Sequence, residues 1–410
     1  MKRNVVITGI GVLSPVGIGR DTYWEALFQG KTGFRPISLF DSTCFSVHVA
    51  GEISDFDPIY FLGKKGIREL DRSTRLIISA AKLALDDSRL EITDDNTHSV
   101  GVSIGTTFGS LHSIFQFDRE GLIDGPRLVN PSHFPNTVIN SPASRLSIRF
   151  RIKGFNTTVS NGFCSGLDAL SYASDFIRLG RAEVVLAGGV EELCEETFRG
   201  FYQLGCLSGI DGSEPICCPF DARRNGTILS EGAAVLVLEN EQHALERGAS
   251  ILATVSGYGN SFDPSAENTF DNSGKGLQNA IGIALKDAML NPQDIDYVAS
   301  GANATKRLDR FETRVLKEVF GEAAFRVPVS SIKSMVGESF SASGALALSA
   351  SVGAIVRNAI PPTVNYTAKD PDCDLDYVPN FTRPAPIKNV LVLSSDPYGN
   401  NTAMVLSRYE

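Results

Sequence analysis

The sequence lacks the features that mark several classes of protein. Its 410 residues contain no apolar run long enough for a membrane span, which takes about 20 residues. The 7 cysteines are odd in number and form no C-x-x-C pair, so neither a structural zinc site nor a disulfide framework is expected. A formal net charge of −9 argues against binding to nucleic acid. These absences favour a globular protein of the reducing cytoplasm.

Histidine is also scarce. The chain has 5 histidines, and none stands at a spacing from another that suits a metal ion; they are His48, His98, His112, His133 and His243. We therefore expect no metal site, and we expect structural or surface roles for these side chains.

Strand-like and helix-like segments alternate along the chain. Apolar runs at Val5–Ile7, Val100–Ile104 and Val184–Ala187 predict buried strands, and apolar residues three and four apart predict helices over 71–85 and 165–178. Further strands are predicted at Thr157–Ser160, Ala234–Glu239, Ile251–Gly257 and Val390–Ser395, and further helices at Gly276–Met289 and Thr313–Phe320. Buried strands bounded by helices indicate an α/β sheet.

The second part of the chain repeats the style of the first. The segment Tyr258-Gly259-Asn260-Ser261 follows a predicted strand and is similar to Thr8-Gly9-Ile10-Gly11 near the start. This hints at two duplicated α/β halves, over residues 1–250 and 251–410. No linker or low-complexity tract separates them, so we expect one compact unit.

The segment 156–170 is chemically the most informative. An Asn161-Gly162 turn joins a predicted strand to a predicted helix. A side chain at the start of that helix faces free N–H groups, which stabilise an anion, and a thiolate there would be an activated nucleophile. The residue at this place is Phe163, which has no nucleophilic atom, and Cys164 follows it.

Several motifs resemble those of one enzyme family. They are the N-terminal stretches at 5–17, 24–27 and 30–33, then Ala182–Gly189, Pro219-Phe220-Asp221 with Glu231–Glu239, and Ser331–Gly337. Together they resemble the β-ketoacyl-acyl-carrier-protein synthases, or ketosynthases, over nearly the full length. The resemblance implies an α/β thiolase fold with two duplicated halves in a five-layered αβαβα arrangement, and normally a dimer.

Active ketosynthases hold an acyl group on a cysteine and extend it with a malonyl unit carried by acyl carrier protein. Two histidines stabilise the enolate and manage protons. By the resemblance, the cysteine position falls on Phe163 and the histidine positions fall on Ser300 and Glu338. Lys333 is retained, and Glu312 lies near the place of a supporting glutamate.

Two further departures concern substrate binding. The threonines that bind the phosphopantetheine arm in the family correspond to Ala302 and Ala304. The C-terminal loop that gates family active sites reads Asp396-Pro397-Tyr398-Gly399-Asn400-Asn401. Scaffold motifs therefore persist where the groups for covalent and proton chemistry are missing.

One branch of the family has this pattern, the chain length factors or ketosynthase β subunits of type II polyketide synthases. Gly166-Leu167-Asp168-Ala169 agrees with that branch, but its usual glutamine is Phe163 here. The resemblance implies a subunit that is not catalytic on its own and forms a heterodimer, or a dimer of heterodimers, with a catalytic ketosynthase. It implies no cofactor, and contact with a phosphopantetheine arm only through the acyl carrier protein of the partner.

The branch also implies a chain-length gate. The segment 108–117 corresponds to the helix that lines the acyl tunnel at the dimer interface. Three- and four-residue spacing predicts Phe108, Leu111 and Phe115 on one helical face, either as tunnel gate or as interface core. His133 and Phe134 are candidates to join them.

A basic cluster interrupts the acidic chain at Lys64, Lys65 and Arg68. In ketosynthases the corresponding stretch can meet the acidic carrier protein, and opposite charge would steer that encounter. The alternative is a solvated helix face.

Other functions stay open at this point. A stand-alone β-ketoacyl synthase or acyltransferase could use Cys164, although a shift of one residue along a helix rotates a side chain by roughly 100°. Glu338 could act as a base or pair with Lys333. A homodimeric scaffold without a catalytic partner is a third possibility. The prediction we prefer is a non-catalytic chain length factor.

Overall fold

The computed structural model describes residues 3–264 and 273–410. The strands are β1 (Val5–Ser14), β2 (Gly17–Ile18), β3 (Arg35–Pro36), β4 (Val49–Ala50), β5 (Val100–Gly105), β6 (Asn156–Val159), β7 (Val184–Glu191), β8 (Gly232–Asn240), β9 (Ala253–Phe262), β10 (Tyr297–Ala299), β11 (Val329–Ser330), β12 (Ala359–Ile360), β13 (Arg383–Pro384), β14 (Asn389–Ser395) and β15 (Asn400–Ser407).

The α-helices are α1 (Arg20–Phe28), α2 (Pro58–Leu62), α3 (Arg72–Ser88), α4 (Leu111–Ile123), α5 (Ser141–Phe150), α6 (Ser165–Arg178), α7 (Glu195–Gln203), α8 (Glu241–Glu246), α9 (Lys275–Ala288), α10 (Lys306–Phe320), α11 (Lys333–Val336) and α12 (Ser341–Arg357). Short 3-10 helices lie at Pro131–Thr137, Gly162–Cys164, Pro292–Asp294 and Gly321–Phe325.

Two halves with one topology make up the main sheet. Its strands follow the order β11-β10-β14-β15-β9-β1-β8-β7-β5-β6, and β2 pairs with β1. From the centre outward, the first half has the order β1-β8-β7-β5-β6 and the second half has the order β9-β15-β14-β10-β11. In both halves the first two pairings are antiparallel and the last two are parallel. Short antiparallel pairing of Val6 with Thr254 and Ile7 with Ala253 joins the halves. The predicted duplication is confirmed, and the boundary at residue 250 stays a prediction.

Among the described residues, the three largest hydrophobic cores lie between the two halves of the sheet and on their two outer faces. Alternating residues of one strand point to opposite faces, so Leu236 and Leu238 of β8 join the central core, while Val235 and Val237 join an outer core. Helices α6 and α12 lie in the central core, α3 covers the outer face of the first half, and α9 with α10 covers that of the second. The predicted five-layered αβαβα arrangement is confirmed.

Glycines let each outer helix approach its strand closely. A Cβ on Gly9 or Gly11 of β1 would overlap the backbone of α3, and a Cβ on Gly257 or Gly259 of β9 would overlap that of α9. The contacts make Gly9 equivalent to Gly257, because each faces the later turns of its helix. The sequence similarity described above pairs Gly9 with Gly259, which is wrong by two residues. The structural equivalent of Gly9 is Gly257, the last residue of the predicted strand.

The secondary-structure predictions agree with the structure at most elements. The helix predicted over 165–178 has those bounds, and the strand at Val5–Ile7 continues to Ser14. The helix predicted from Thr313 begins at Lys306 instead. Its first two turns carry many charged residues on their exposed side. The buried residues Leu308 and Phe311 were therefore not recognised as part of a helix from the sequence.

Candidate functional site

The turn before α6 places Phe163 in a cluster of rings. Gly162 has φ of 57°, and a Cβ there would overlap the carboxylate of Asp396, so the turn requires glycine. The Phe163 ring is buried, with its centroid 5.0 Å from that of Phe340 and 6.3 Å from that of Phe201. Phe108 packs edge-on against Phe340 at 5.2 Å. We call Phe108, Phe163, Phe201 and Phe340 the aromatic cluster.

Cys164 faces the other way. Its side chain is fully buried, and its Sγ donates a hydrogen bond to the carbonyl of Ser394 at 3.3 Å. Burial raises the pKa of the Cys164 thiol well above its usual range, and the carboxylates of Asp168 and Asp396 raise it further. The thiol is therefore protonated and hydrogen-bonded to strand β14. The site has no activated thiolate at this residue.

A buried ion pair occupies the second-half side of the site. The Lys333 Nζ lies 2.8 Å from Glu338 Oε2 and donates to the carbonyl of Gly301 at 2.9 Å. Glu338 also accepts from Asn303 Nδ2 at 2.9 Å, from the Phe340 N–H at 3.0 Å and from Ser343 Oγ at 2.9 Å. The expected pairing of Glu338 with Lys333 is present. With four donors already on its oxygens, this carboxylate acts as a structural acceptor and is poorly placed to take a proton from a substrate.

Ser300 and Glu312 lie behind that pair. Ser300 is buried, and its Oγ accepts from the Ala302 N–H at 3.0 Å. Glu312 accepts from the Gly301 N–H at 3.1 Å through Oε2, while its buried Oε1 has no hydrogen-bond partner among the described residues. Burial raises the pKa of Glu312 to about 7. Ala302 and Ala304 are fully buried methyl groups that give a ligand no hydrogen bond.

A cavity of about 700 Å³ leads from this site to the surface. Phe163 and Glu338 are among its buried lining residues, and Leu204, Lys306 and Arg307 are among its exposed ones. The two cations were not predicted from the sequence. The signal was available, since Lys306-Arg307 lies one residue after the stretch aligned with the pantetheine-binding threonines.

The predicted gate residues divide into two groups. Phe108 lies in the aromatic cluster, outside α4, because Gly109 with φ of 65° and Ser110 intervene before the helix begins at Leu111. The prediction that Phe108 shares a helical face with Leu111 and Phe115 is therefore wrong. Leu111 is half-buried and Phe115 is 46% exposed. His133 and Phe134 are exposed on the 3-10 helix at Pro131–Thr137.

Helix α4 and its surroundings form an uncovered apolar face. None of the residues of α4 is buried. We define the apolar face by its exposed hydrophobic side chains, which are Phe115, Leu122, Ile123, Leu128, Phe134, Val138, Ile139 and Ile148. Strand β6, at the end of the sheet, has a neighbour on one side only among the described residues. A large apolar face beside a free strand edge is typical of a surface that a protein partner covers.

The basic cluster lies on a loop. Lys64, Lys65 and Arg68 are exposed in the loop between α2 and α3. The alternative of a solvated helix face is therefore wrong about the helix, although the side chains are exposed to solvent. The neighbouring Tyr60 is 83% exposed. None of the three cations forms an ion pair with another described residue, which leaves them available to an acidic partner.

Comparison with protein families places the chain. Residues 2–244 match the model of the beta-ketoacyl synthase N-terminal domain, and residues 252–367 match that of its C-terminal domain. Together with the thiolase-like layers described above, these matches show that the chain belongs to the β-ketoacyl synthase family.

Relatives of two kinds are similar over almost the whole chain. The 3-oxoacyl-[acyl-carrier-protein] synthase 2 of Coxiella burnetii is 37% identical over 409 residues, covering 99% of each chain. The granaticin polyketide putative beta-ketoacyl synthase 1 of Streptomyces violaceoruber is 38% identical, covering 100% of this chain and 99% of the relative. The tetracenomycin polyketide synthase ketoacyl synthase alpha subunit of Streptomyces glaucescens is 37% identical, covering 99% and 97%.

Solved structures agree with the fold. The ishigamide ketosynthase/chain length factor superposes with a TM-score of 0.94 at 33% identity, and each chain is covered completely. A type II PKS ketosynthase, solved in complex with its acyl-carrier protein and bound to the hexaketide, superposes at 0.92 and 30% identity with the same coverage. Among the described residues, no helix has the length and apolar character needed to cross a bilayer.

Proposed function

We propose that this chain is a chain length factor that pairs with a catalytic ketosynthase and limits the length of a polyketide. The observation that carries the proposal is the aromatic cluster around Phe163, at the helix start where the family places its nucleophile. Opposite it, a fully hydrogen-bonded Glu338–Lys333 pair takes the place of an acid–base group. A site without a thiolate, in which the carboxylate at the place of the second histidine is fully hydrogen-bonded, supports a subunit without condensing activity of its own.

The proposed mechanism is steric. A growing chain that reaches Phe108 or the face of α4 can extend only by overpacking side chains, which costs about 1–3 kcal/mol per misfit. That cost corresponds to roughly a 5- to 150-fold slower step. Because Phe108 is braced by Phe340 at 5.2 Å, its ring has little room to yield.

The proposed partners follow from two surfaces. The apolar face and the β6 edge would be covered by the catalytic ketosynthase in a heterodimer. The loop cations Lys64, Lys65 and Arg68 would steer an acyl carrier protein. The chain itself would need no cofactor, since the phosphopantetheine arm would arrive on the carrier protein of its partner.

Product length tests the proposal. The chain is co-expressed and co-purified with a catalytic type II ketosynthase, and the reconstituted complex is given malonyl-loaded carrier protein. We expect Phe108→Ala to lengthen the products, while the exposed Phe381→Ala, a matched loss of one ring, leaves them unchanged. Unchanged length in Phe108→Ala would contradict the gate. A symmetric homodimer that ignores the ketosynthase would favour a scaffold instead.

A second candidate is a stand-alone condensing enzyme, because the curated relatives include proteins named as synthases. Cys164 is then the only nearby thiol in the strand–turn–helix segment. Incubation of the isolated chain with acyl-carrier thioesters, followed by intact mass, decides between the two. We expect no adduct; an acyl adduct that disappears in Cys164→Ser would establish the second candidate.

A further inference from the structure

Two adjacent carboxylates at the end of β7 hold the segment that carries Phe108. Glu191 is 1% exposed and accepts hydrogen bonds from the backbone N–H of Thr107 at 2.8 Å and of Phe108 at 3.0 Å. Its Oε2 also accepts from Ser341 Oγ at 2.6 Å. Ser341 directly follows Phe340, so one carboxylate links the backbone of Phe108 to the side chain of the residue next to Phe340.

Glu192 joins the starts of two helices. It is buried and accepts from the Ser73 N–H in the first turn of α3 at 3.2 Å, and from the His112 N–H in the first turn of α4 at 3.3 Å. Asp71 reinforces the junction, since its carboxylate accepts from Ser110 Oγ at 2.7 Å. Acceptors at helix N-termini satisfy N–H groups that have no partner inside the helix.

These contacts matter because they hold the start of α4, whose other contacts include the His112–Glu196 pair to α7 at 3.2 Å and the Phe117–Phe134 ring contact at 6.0 Å. The helix has no buried residue, so apolar packing contributes little to its orientation. The preceding loop is also tied to the turn at Phe163, because Thr107 Oγ1 donates to the Gly162 carbonyl at 2.9 Å. The position of the loop 106–112 therefore depends mainly on acceptors from outside it.

We propose that Glu191 and Glu192 are positioning residues that set where the gate stands: Glu191 fixes the Phe108 ring, and Glu192 fixes the direction of α4 and of the apolar face. The inference rests on the proposed gate function. It adds specificity-determining residues that would touch neither the growing chain nor the partner.

The chemistry of the two sites requires a carboxyl group. Both oxygens of Glu191 receive N–H or O–H donors. Glutamine keeps the shape but replaces one oxygen with an NH₂ group, which cannot accept the donor that faces it, whereas a carboxyl oxygen can accept it even when protonated. Glu191→Gln and Glu192→Gln should therefore loosen the loop without creating a cavity. Glu195→Gln is the matched control, since Glu195 forms its ion pair among the described residues with Arg199 on the surface.

The first measurement is amide hydrogen exchange in the full-length chain. We expect exchange over residues 106–112 to be about 10-fold faster in Glu191→Gln, and over the first turn of α4 in Glu192→Gln, because opening becomes easier. Glu195→Gln should exchange like the wild type. Wild-type exchange in both glutamine variants would overturn the positioning role.

The second measurement is product length in the reconstituted complex. Glu191→Gln should broaden the product distribution toward longer chains, in the direction of Phe108→Ala. Leu277→Ala, in the outer core of the second half, separates position from stability, because it lowers the melting temperature far from the loop. If Leu277→Ala shifts product length as much as Glu191→Gln does, the role of Glu191 is only structural and the inference fails.

The two proposals fail in different ways. If Phe108→Ala leaves product length unchanged, the proposed function falls even when exchange over 106–112 is faster. If Phe108→Ala shifts product length and Glu191→Gln does not, the gate stands and the positioning inference falls.

Discussion

The two halves of this protein share a framework and differ in what stands at the ends of their strands. Both use the same strand order and a pair of glycines that admits an outer helix. At the site, the first half supplies the Phe163 ring, while the second half supplies the Lys333–Glu338 ion pair. The framework is constrained by backbone contact over whole strands, whereas single side chains at strand ends can change without disturbing it.

The ion pair should be the most sensitive point of the second half. Lys333→Met leaves Glu338 buried without its cation, which is expected to destabilise folding by about 3–5 kcal/mol. Lys333→Met combined with Glu338→Gln removes the charge as well and should recover much of that loss. Denaturant unfolding measures both. Equal stability of the single and double variants would show that the pair contributes no electrostatic term.

The glycine pairs should be equally intolerant in both halves. Gly11→Ala and Gly259→Ala each place a Cβ against a helix carbonyl, of Ala80 and Ala280 respectively, and we expect a loss of about 1–3 kcal/mol from each. Gly282→Ala is the control. It lies exposed within α9 with no atom near its Cβ, and it should stabilise by up to about 1 kcal/mol. Tolerance of Gly259→Ala alone would break the equivalence of the halves.

The sequence predicted the framework well and the site only in part. Strands such as the predicted Val184–Ala187 were recognisable because they are buried on both faces and therefore continuously apolar. The repeat was predicted two residues out of register. Gly257 is the last residue of a predicted strand, and only its contact with α9 shows that it is the equivalent of Gly9. The approach of Lys333 to Glu338 was predictable from their proximity in one motif.

Long-range acceptors could not be predicted. Glu192 bonds to Ser73 and His112, which lie 119 and 80 residues away. Its partners are backbone N–H groups, which every residue except proline has, so no residue type at those positions signals the contact. The departure of Phe108 from the helix was missed for a related reason, since the spacing rule assumed a continuous helix through Gly109.

The pH dependence of stability should differ between the halves. Burial raises the pKa of Glu312 from 4.5 to about 7 and that of Glu192, in the first half, from 4.5 to about 8. A raised pKa means that the folded state keeps its proton to higher pH than the unfolded chain. The stability contributed by each protonated group is therefore full below about pH 4.5 and is lost as the pH rises through the folded pKa.

Thermal unfolding between pH 5 and pH 9 tests this difference. The wild type should lose several degrees in melting temperature, roughly 2–4 °C for each kcal/mol lost. Glu312→Gln should flatten the part of the curve that ends near pH 7, and Glu192→Gln the part that extends to pH 8. A wild-type curve that rises over this interval would contradict the direction of both shifts.

The smallest effect on stability is expected from Cys164→Ser, whereas truncation of the adjacent Phe163 should lower stability substantially. Phe163→Ala removes a buried ring from the aromatic cluster and should cost about 3–5 kcal/mol. Serine keeps the size of the thiol closely and can donate the same hydrogen bond to the Ser394 carbonyl, so Cys164→Ser should change stability by about 1 kcal/mol or less. Unfolding and product length are measured for both variants in the complex. A large loss of product in Cys164→Ser at unchanged stability would show that the thiol takes part in chemistry. A loss of stability confined to Phe163→Ala would show that the ring, and not the thiol, stabilises the site in the first half.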